Sequence, residues 1–307
     1  MAVATTCAPA SPPRSLRQRL LGENPGAWAF VAPAALIIVG LAIVPIGWSL
    51  LLSFRDADLI SPSQWVGLSN YEALLEDAAL RSAVENTLVF TGLFVPLSVG
   101  LGLAVAMALN RQIRLIGLYR TAILVPFIAS TAVQGVLFSF IFDQRFGVAN
   151  ALLDSVGLPR QGFLGDPDQA LFVIVAIALW GGIGFSVVIY LAALQDIPRE
   201  LVDAASVDGA RRWGVLRHVI LPQLTPVTVF LVVWQTLLSL QLFDLVYATT
   251  RGGPLDATMV IVYYVYNQAF ELFNAGYAAA VAYVVAAFLI ALVFLQLLHR
   301  RLRARRS

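Results

Sequence analysis

Six stretches of this chain, approximately residues 28–54, 83–109, 118–141, 170–194, 227–246 and 276–298, are predominantly apolar. Each reaches the roughly 20 residues needed to cross about 30 Å of hydrocarbon. A soluble fold could not hide six such segments. The remainder cannot supply a solvated surface either: 12% of the 307 residues are charged, about half the share in ordinary soluble domains. A multi-pass, all-α membrane protein is the class that remains. A seventh apolar run, 259–270, is short and flanked by Asp256 and Glu271, so we expect a short helix packed at the outer surface.

Charge placement orients the spans, because cytoplasmic flanks collect positive charge. All 20 basic residues are arginine. With the N-terminus inside, the inner flanks hold fifteen of them, including Arg14, Arg17, Arg19, Arg111, Arg114, Arg120 and the tail from Arg300 to Arg306, and the outer flanks hold five. Six spans therefore put both termini in the cytoplasm, whereas a seventh would carry the arginine tail outside. The outer loops, roughly 55–82, 142–169 and 247–275, are acidic. Prolines 96, 126, 222 and 226 are expected to kink their helices, which neighbouring helices can tolerate.

Several chemistries are excluded. Without lysine the chain has neither a phosphate-binding P-loop nor a Schiff-base amine. Cys7 is the single cysteine, so no intrachain disulfide or multi-cysteine metal site forms. His218 and His299 sit beside arginines at span borders and read as interfacial side chains, not metal ligands. The segment before residue 28 lacks the apolar core of a signal peptide, and the run that follows is too long for one. No catalytic group, cofactor site or metal site is expected in this chain, and no nucleic-acid partner.

The fourth loop, residues 195–224, is the charged exception: QDIPRELVDAASVDGARRWGVLRHVILPQL. Asp196 is positioned to cap a helix whose first turn holds Pro198 and Glu200, and Gly209 offers a stop. On that helix Leu201, Val202, Ala205 and Gly209 form a narrow apolar, small-residue stripe. A second short helix from Arg211 to His218 leads to Leu221-Pro222, where the chain re-enters the membrane. Asp203-Ala204-Ala205, three residues, Gly209, nine residues, then Val219-Ile220-Leu221-Pro222 resembles the EAA loop of membrane subunits in binding-protein-dependent ABC importers. Asp203 stands for that family's usual Glu and Val219 for its usual Ile. Gly67-Leu68-Ser69-Asn70-Tyr71, Tyr119-Arg120-Thr121 with Pro126, and Phe243-Asp244 followed by Thr250-Arg251-Gly252-Gly253-Pro254 are similar to segments of its sugar and glycerol-3-phosphate (maltose-type) branch, with Arg251 where Gly is common.

The resemblance implies a type I ABC importer permease fold: a cytoplasmic segment 1–27, a first span with its outer loop over 28–82, a permease core over 83–298 containing the coupling loop 195–224, and a basic tail 299–307. It implies a coupling helix seated in a separate cytoplasmic ATPase through Asp203, Ala204, Ala205, Gly209, Leu221 and Pro222. ATP would be hydrolysed by that partner, not here. The implied assembly holds a second, different permease subunit, two ATPase subunits and an extracytoplasmic solute-binding protein, in the lipid of a bacterial or archaeal cytoplasmic membrane. Polar and aromatic groups at bilayer depth tend to face a cavity or another helix. Gln134, Trp180, Tyr190, Trp234, Gln235 and Gln241, with Asp244 near an outer end, are accordingly the solute-pathway candidates, and a ring face with an amide suits a hydroxyl-rich solute. An ion-coupled secondary carrier is the alternative, although such carriers usually show repeats and buried ionisable residues. An intramembrane enzyme would need a nucleophile, base or metal set that the spans lack.

Overall fold

The computed structural model describes residues 25–58, 60–111 and 114–304. Expectations for residues 1–24, which include Cys7, Arg14, Arg17 and Arg19, and for Arg305 and Arg306 lie outside this range. The chain divides after Leu52 into two units.

The first unit contains α1 (Pro25–Ile38), a wide turn over Val39–Ile43, and α2 (Val44–Leu52). Residues Phe30–Leu52 form a continuous apolar helix, and its described side chains are almost all exposed. A helix apolar on every side belongs in hydrocarbon.

The second unit opens with a two-residue hairpin, β1 (Arg55–Asp56) antiparallel to β2 (Gln64–Trp65), and α3 (Ser69–Glu76). The Asn70 amide donates to the carbonyls of Ser53 and Arg55 at 2.9 Å each, which holds the hairpin against α3. The bundle then comprises α4 (Ala78–Leu109), α5 (Ile116–Ile128), α6 (Thr131–Ile141), the surface helix α7 (Val148–Ser155), α8 (Ala170–Gln195), α9 (Arg199–Val207), α10 (Arg212–Val215), α11 (Leu221–Leu240), α12 (Asp244–Ala248), α13 (Ile261–Tyr266) and α14 (Ala275–Ala304). The centre is α4 packed along α8, with α11 closing against both. Phe90, Phe94, Ile174, Ile177, Tyr190 and Leu231 fill the space between them.

Among the described residues, four helices are long and apolar enough to cross a bilayer: Phe30–Leu52, Ala78–Leu109, Ala170–Gln195 and Arg212–Leu240. Residues 118–141, expected as one continuous span kinked at Pro126, are instead the pair α5–α6, bent by 98°. Ala129 and Ser130 take extended backbone at the break. The sixth apolar stretch lies within α14, whose apolar helix is shorter, Ala275–Ala291. The short helix expected within 259–270 is α13, continued by a wide turn over Asn267–Glu271.

The fifth span also differs from expectation. It begins at Arg212 and stops at Leu240, so the chain does not break at Leu221-Pro222. A wide turn over Leu216–Ile220 precedes the proline, with the Leu221 amide bonded to the Leu216 carbonyl five residues back. That expansion relieves the clash a proline ring makes with the carbonyl four residues before it. The same device precedes Pro45, where the Val44 amide reaches the Val39 carbonyl.

Candidate functional site

At the break between α5 and α6 the Pro126 carbonyl keeps one backbone bond, from the Ala129 amide at 3.2 Å, the Ala129 carbonyl turns away from the helix, and Gln134 bonds both. Its Nε2 donates to the Pro126 and Ala129 carbonyls, both at 2.9 Å. The amide is buried, so these bonds are not replaceable by bulk water. Gly181 on α8 makes room for it: a β-carbon there would fall 2.1 Å from Gln134 Oε1. Beside this contact lies a cleft of about 350 Å³, walled by Phe90, Phe94 and Phe127 and carrying the polar groups of Gln134, Gln241 and Asp244. Apolar walls with a few convergent polar groups are the usual build of a small-molecule site. Gln241 and Asp244 reach it because α11 stops at Leu240 and α12 starts at Asp244.

The other pathway candidates lie elsewhere. Gln235 is 1% exposed, and its Nε2 donates to Ser98 Oγ at 2.8 Å and Ser186 Oγ at 2.9 Å, tying α11 to α4 and α8. The Tyr190 hydroxyl donates to Thr228 Oγ1 at 2.9 Å, a second link between α8 and α11. Trp180 meets Phe138 edge-on at 5.0 Å, and Trp234 stacks between Phe185 and Phe230. Both indoles are partly exposed on the bundle exterior. Seen from the sequence alone, a buried amide that links helices is indistinguishable from one that faces a cavity.

At the opposite end, α9 is the helix expected to couple to a partner. Its first turn is not capped by Asp196, which instead ends α8 through its amide on the Ala192 carbonyl; Pro198 holds the capping position without a side-chain bond. The helix closes as expected at Gly209. The Ala210 amide bonds the Ala205 carbonyl at 2.9 Å and the Gly209 amide the Ser206 carbonyl at 3.1 Å, with Gly209 at φ +81°. This is the paired bonding of a Schellman turn, which needs a left-handed residue at that point. Its faces are divided differently from the expected stripe. Val202 and Ala205 turn half-buried toward the rest of the chain, and Leu201, Asp203, Ala204 and Gly209 stay exposed. Val207 (88% exposed) and Trp213 (68%) join that outer surface; neither was a sequence candidate, although a tryptophan in a charged loop was the available signal. Leu221 and Pro222 are exposed within the α11 helix. A second cleft, about 570 Å³, opens behind α9 between Asn110, Gln195, Arg199 and Asp203.

A polar cluster at the N-terminal end of α4 was not legible in the sequence. Asp77 caps α4 by accepting from the Ala79 and Leu80 amides at 2.8 and 3.0 Å, and its Oδ2 also accepts from the hydroxyls of Tyr264 and Tyr277. Burial works against the charge on Asp77, yet the hydroxyl and amide donors together hold its pKa below the ordinary 3.8. Burial, followed by the bond to that carboxylate, pushes Tyr264 up to about 12. Nearby the Asn86 amide donates to the Asp256 and Met259 carbonyls, and Thr87 Oγ1 accepts from the Ile261 amide. Among the described residues no group of three His, Cys, Asp or Glu side chains could hold a metal ion.

Several helices long and apolar enough to cross a bilayer, with a cleft beside a broken one, define a multi-pass helical membrane protein. The chain belongs to the family described as binding-protein-dependent transport system inner membrane component, whose pattern it matches over residues 98–304. It is 35% identical over 275 residues to the lactose transport system permease protein LacF of Rhizobium radiobacter, covering 88% of this chain and 92% of LacF. To the sn-glycerol-3-phosphate transport system permease protein UgpA of Agrobacterium fabrum it is 34% identical over 271 residues, 88% of this chain and 92% of UgpA. In fold it resembles a chain of a bacterial alginate ABC transporter solved with an alginate pentasaccharide-bound periplasmic protein, with a TM-score of 0.80 at 21% identity over 91% of this chain and 94% of that one.

Proposed function

We propose that this chain is the permease subunit of an ATP-driven ABC importer, forming half of the pathway for a carbohydrate-type solute: a sugar, oligosaccharide or glycerol phosphate. The observation that carries the coupling role is the α9 helix, closed by the Schellman turn at Gly209 and presenting Leu201, Asp203, Ala204 and Val207 outward. It lies in the loop with the family spacing, and it needs a protein partner. The solute class is supported by the relatives named for lactose and glycerol-3-phosphate transport and by the cleft at Gln134, Gln241 and Asp244. Amides and a carboxylate there suit a hydroxylated solute.

In this reading the chain has six spans, with the bent α5–α6 pair and α14 each counted as one, and both termini face the cytoplasm, as the arginine asymmetry requires. Residues 83–298 form the permease core. A separate ATPase binds Asp203, Ala204, Ala205, Gly209, Leu221 and Pro222 directly or through the turns they build, and hydrolyses the ATP. Two such ATPases, a second and different permease chain, and an extracytoplasmic solute-binding protein complete the assembly in a bacterial or archaeal cytoplasmic membrane. Membership of a binding-protein-dependent family disfavours the ion-coupled carrier. The test is to purify the complex from its native membrane and reconstitute it. Recovery of an ATPase, a second permease and a binding protein, with vanadate-sensitive uptake, is expected; uptake driven by an ion gradient without ATP would overturn the proposal.

A further inference from the structure

Arg251 occupies a left-handed backbone conformation, φ 50°, in the turn after α12, with its amide bonded to the Val246 carbonyl at 2.8 Å. Glycine adopts that conformation freely and a long side chain rarely does. Such an outlier is a reason to ask what the side chain does. The guanidinium lies 5.8 Å from the centre of the Tyr247 ring. Arg251 is exposed, and among the described residues no carboxylate pairs with it. The nearby Glu271 carboxylate is held instead by Asn267 at 2.6 Å and Tyr263 at 3.4 Å.

Tyr247 begins a ladder that leads inward. Its ring stacks on Phe243 at 5.4 Å, and Tyr266 meets both rings, at 5.4 and 5.2 Å. Phe243 and its neighbour Asp244 line the 350 Å³ cleft. The ladder is therefore continuous with the candidate pathway and polarised, with a carboxylate at the cleft end and a guanidinium at the other. Aromatic faces accept the C–H faces of a sugar ring, and a guanidinium matches the two oxygens of a carboxylate or phosphate.

We propose that Arg251, Tyr247 and Phe243 form an outer subsite for a hydroxylated solute bearing an anionic group, a carboxylate or a phosphate, with the anion on Arg251 and the carbohydrate body along the rings toward Asp244. The proposal rests on the carbohydrate-importer reading and adds to it a charge preference.

The experiment uses the complete importer in liposomes, offered matched probes: lactose against lactobionate, and glycerol against sn-glycerol 3-phosphate, with the binding protein's affinity for each measured alongside. The native complex should favour an anionic member. Arg251→Gly, which relieves the backbone conformation and so leaves folding intact, should raise KM for that probe roughly tenfold or more, the scale of one lost charge-assisted contact. Arg251→Lys should recover part of the loss, and uptake of any neutral probe should be unchanged. Neutral-only uptake by the native complex, or native KM for the anion in Arg251→Gly, overturns the subsite while leaving the importer standing. Uptake of no probe in either class overturns the carbohydrate reading itself.

Discussion

Gly181 on α8 and Gln134 on α6 share one space: a β-carbon at the glycine would lie 2.1 Å from the amide oxygen and 2.9 Å from the amide carbon. Because the same amide holds the Pro126 and Ala129 carbonyls, the corner between α5 and α6 depends on the absence of a methyl group on another helix. Gly181→Ala should cost about 1–3 kcal/mol, the range for forcing atoms into a packed interior. Gln134→Ala removes the clash but takes away the bond to the Ala129 carbonyl and leaves Pro126 only its Ala129 amide, so it too should destabilise. The double variant should be less destabilised than the two losses added together. Unfolding of the purified chain in detergent, read as a double-mutant cycle, measures this, and simple additivity would refute the shared space.

Gln235 gives a second prediction. Replacing it with leucine leaves Ser98 and Ser186, which bond each other at 3.2 Å, to satisfy themselves. Interhelical hydrogen bonds in membranes average only about 0.6 kcal/mol, so the stability loss should stay near 1 kcal/mol. The solute KM should not change, since the amide does not line the cleft, whereas Gln241→Ala and Asp244→Asn should raise it several-fold. A KM shift in Gln235→Leu equal to theirs would put this amide back in the pathway.

The turn at Gly209 separates strain from crowding. A β-carbon there meets nothing within 4 Å, while φ is +81°. Gly209→Asn, which tolerates this conformation better than other residues, should keep both ATPase coupling and uptake. Gly209→Ala should weaken the turn by about 1 kcal/mol. Gly209→Trp should leave the spans inserted, yet uncouple ATP hydrolysis from uptake by filling the exposed surface. Val207→Asp and Trp213→Asp should reduce recovery of the ATPase on co-purification without lowering the amount of inserted chain; full recovery would exclude that face as the docking surface.

The cluster around Asp77 predicts a pH window. Asp77 has a lowered pKa, so its contribution is complete above about pH 3.8 and is lost as pH falls through the folded-state value. Tyr264 is raised from 10 to about 12, so its contribution is complete below pH 10 and is lost as pH rises toward 12. Thermal stability should therefore plateau between these limits and fall on both sides. Asp77→Asn should lower the plateau and reduce the acid-side fall to what other carboxylates such as Asp58, held low by the Ser61 and Ile60 amides, contribute. It should also move Tyr264 back toward 10 without reaching it, because burial remains. Ultraviolet difference titration of the phenolate reads this directly.

How much of this was visible beforehand depended on the kind of interaction. Apolar length and arginine placement outlined the helices, because the hydrocarbon cost of a span is summed over many residues. The stop at Gly209 was legible for the same reason that it is local: only a few residues decide a Schellman turn. The 98° corner was not, since Pro126 alone is compatible with a kinked but continuous helix, and the corner is held by Gln134 from the next helix and by room at Gly181, 47 residues farther along. The start of the fifth span was misplaced because the wide turn over Leu216–Ile220 lets a helix pass through Pro222. Roles of polar residues were the least legible. Gln134, Gln235 and Gln241 look alike in an apolar sequence, yet Gln134 ties a corner beside the cleft, Gln235 joins three helices away from it, and Gln241 lines it.

The knot of Ser98, Ser186 and Gln235 has a mechanical meaning. Sliding any one of α4, α8 or α11 by one helical turn, about 5.4 Å, would pull its polar group away from the other two, which bond each other. Tilting the helices about that point breaks nothing. In the proposed importer the knot would serve as a pivot pin: a push on α9 would reach Gln241 and Asp244 as a rocking motion, with its direction reversed across the fulcrum.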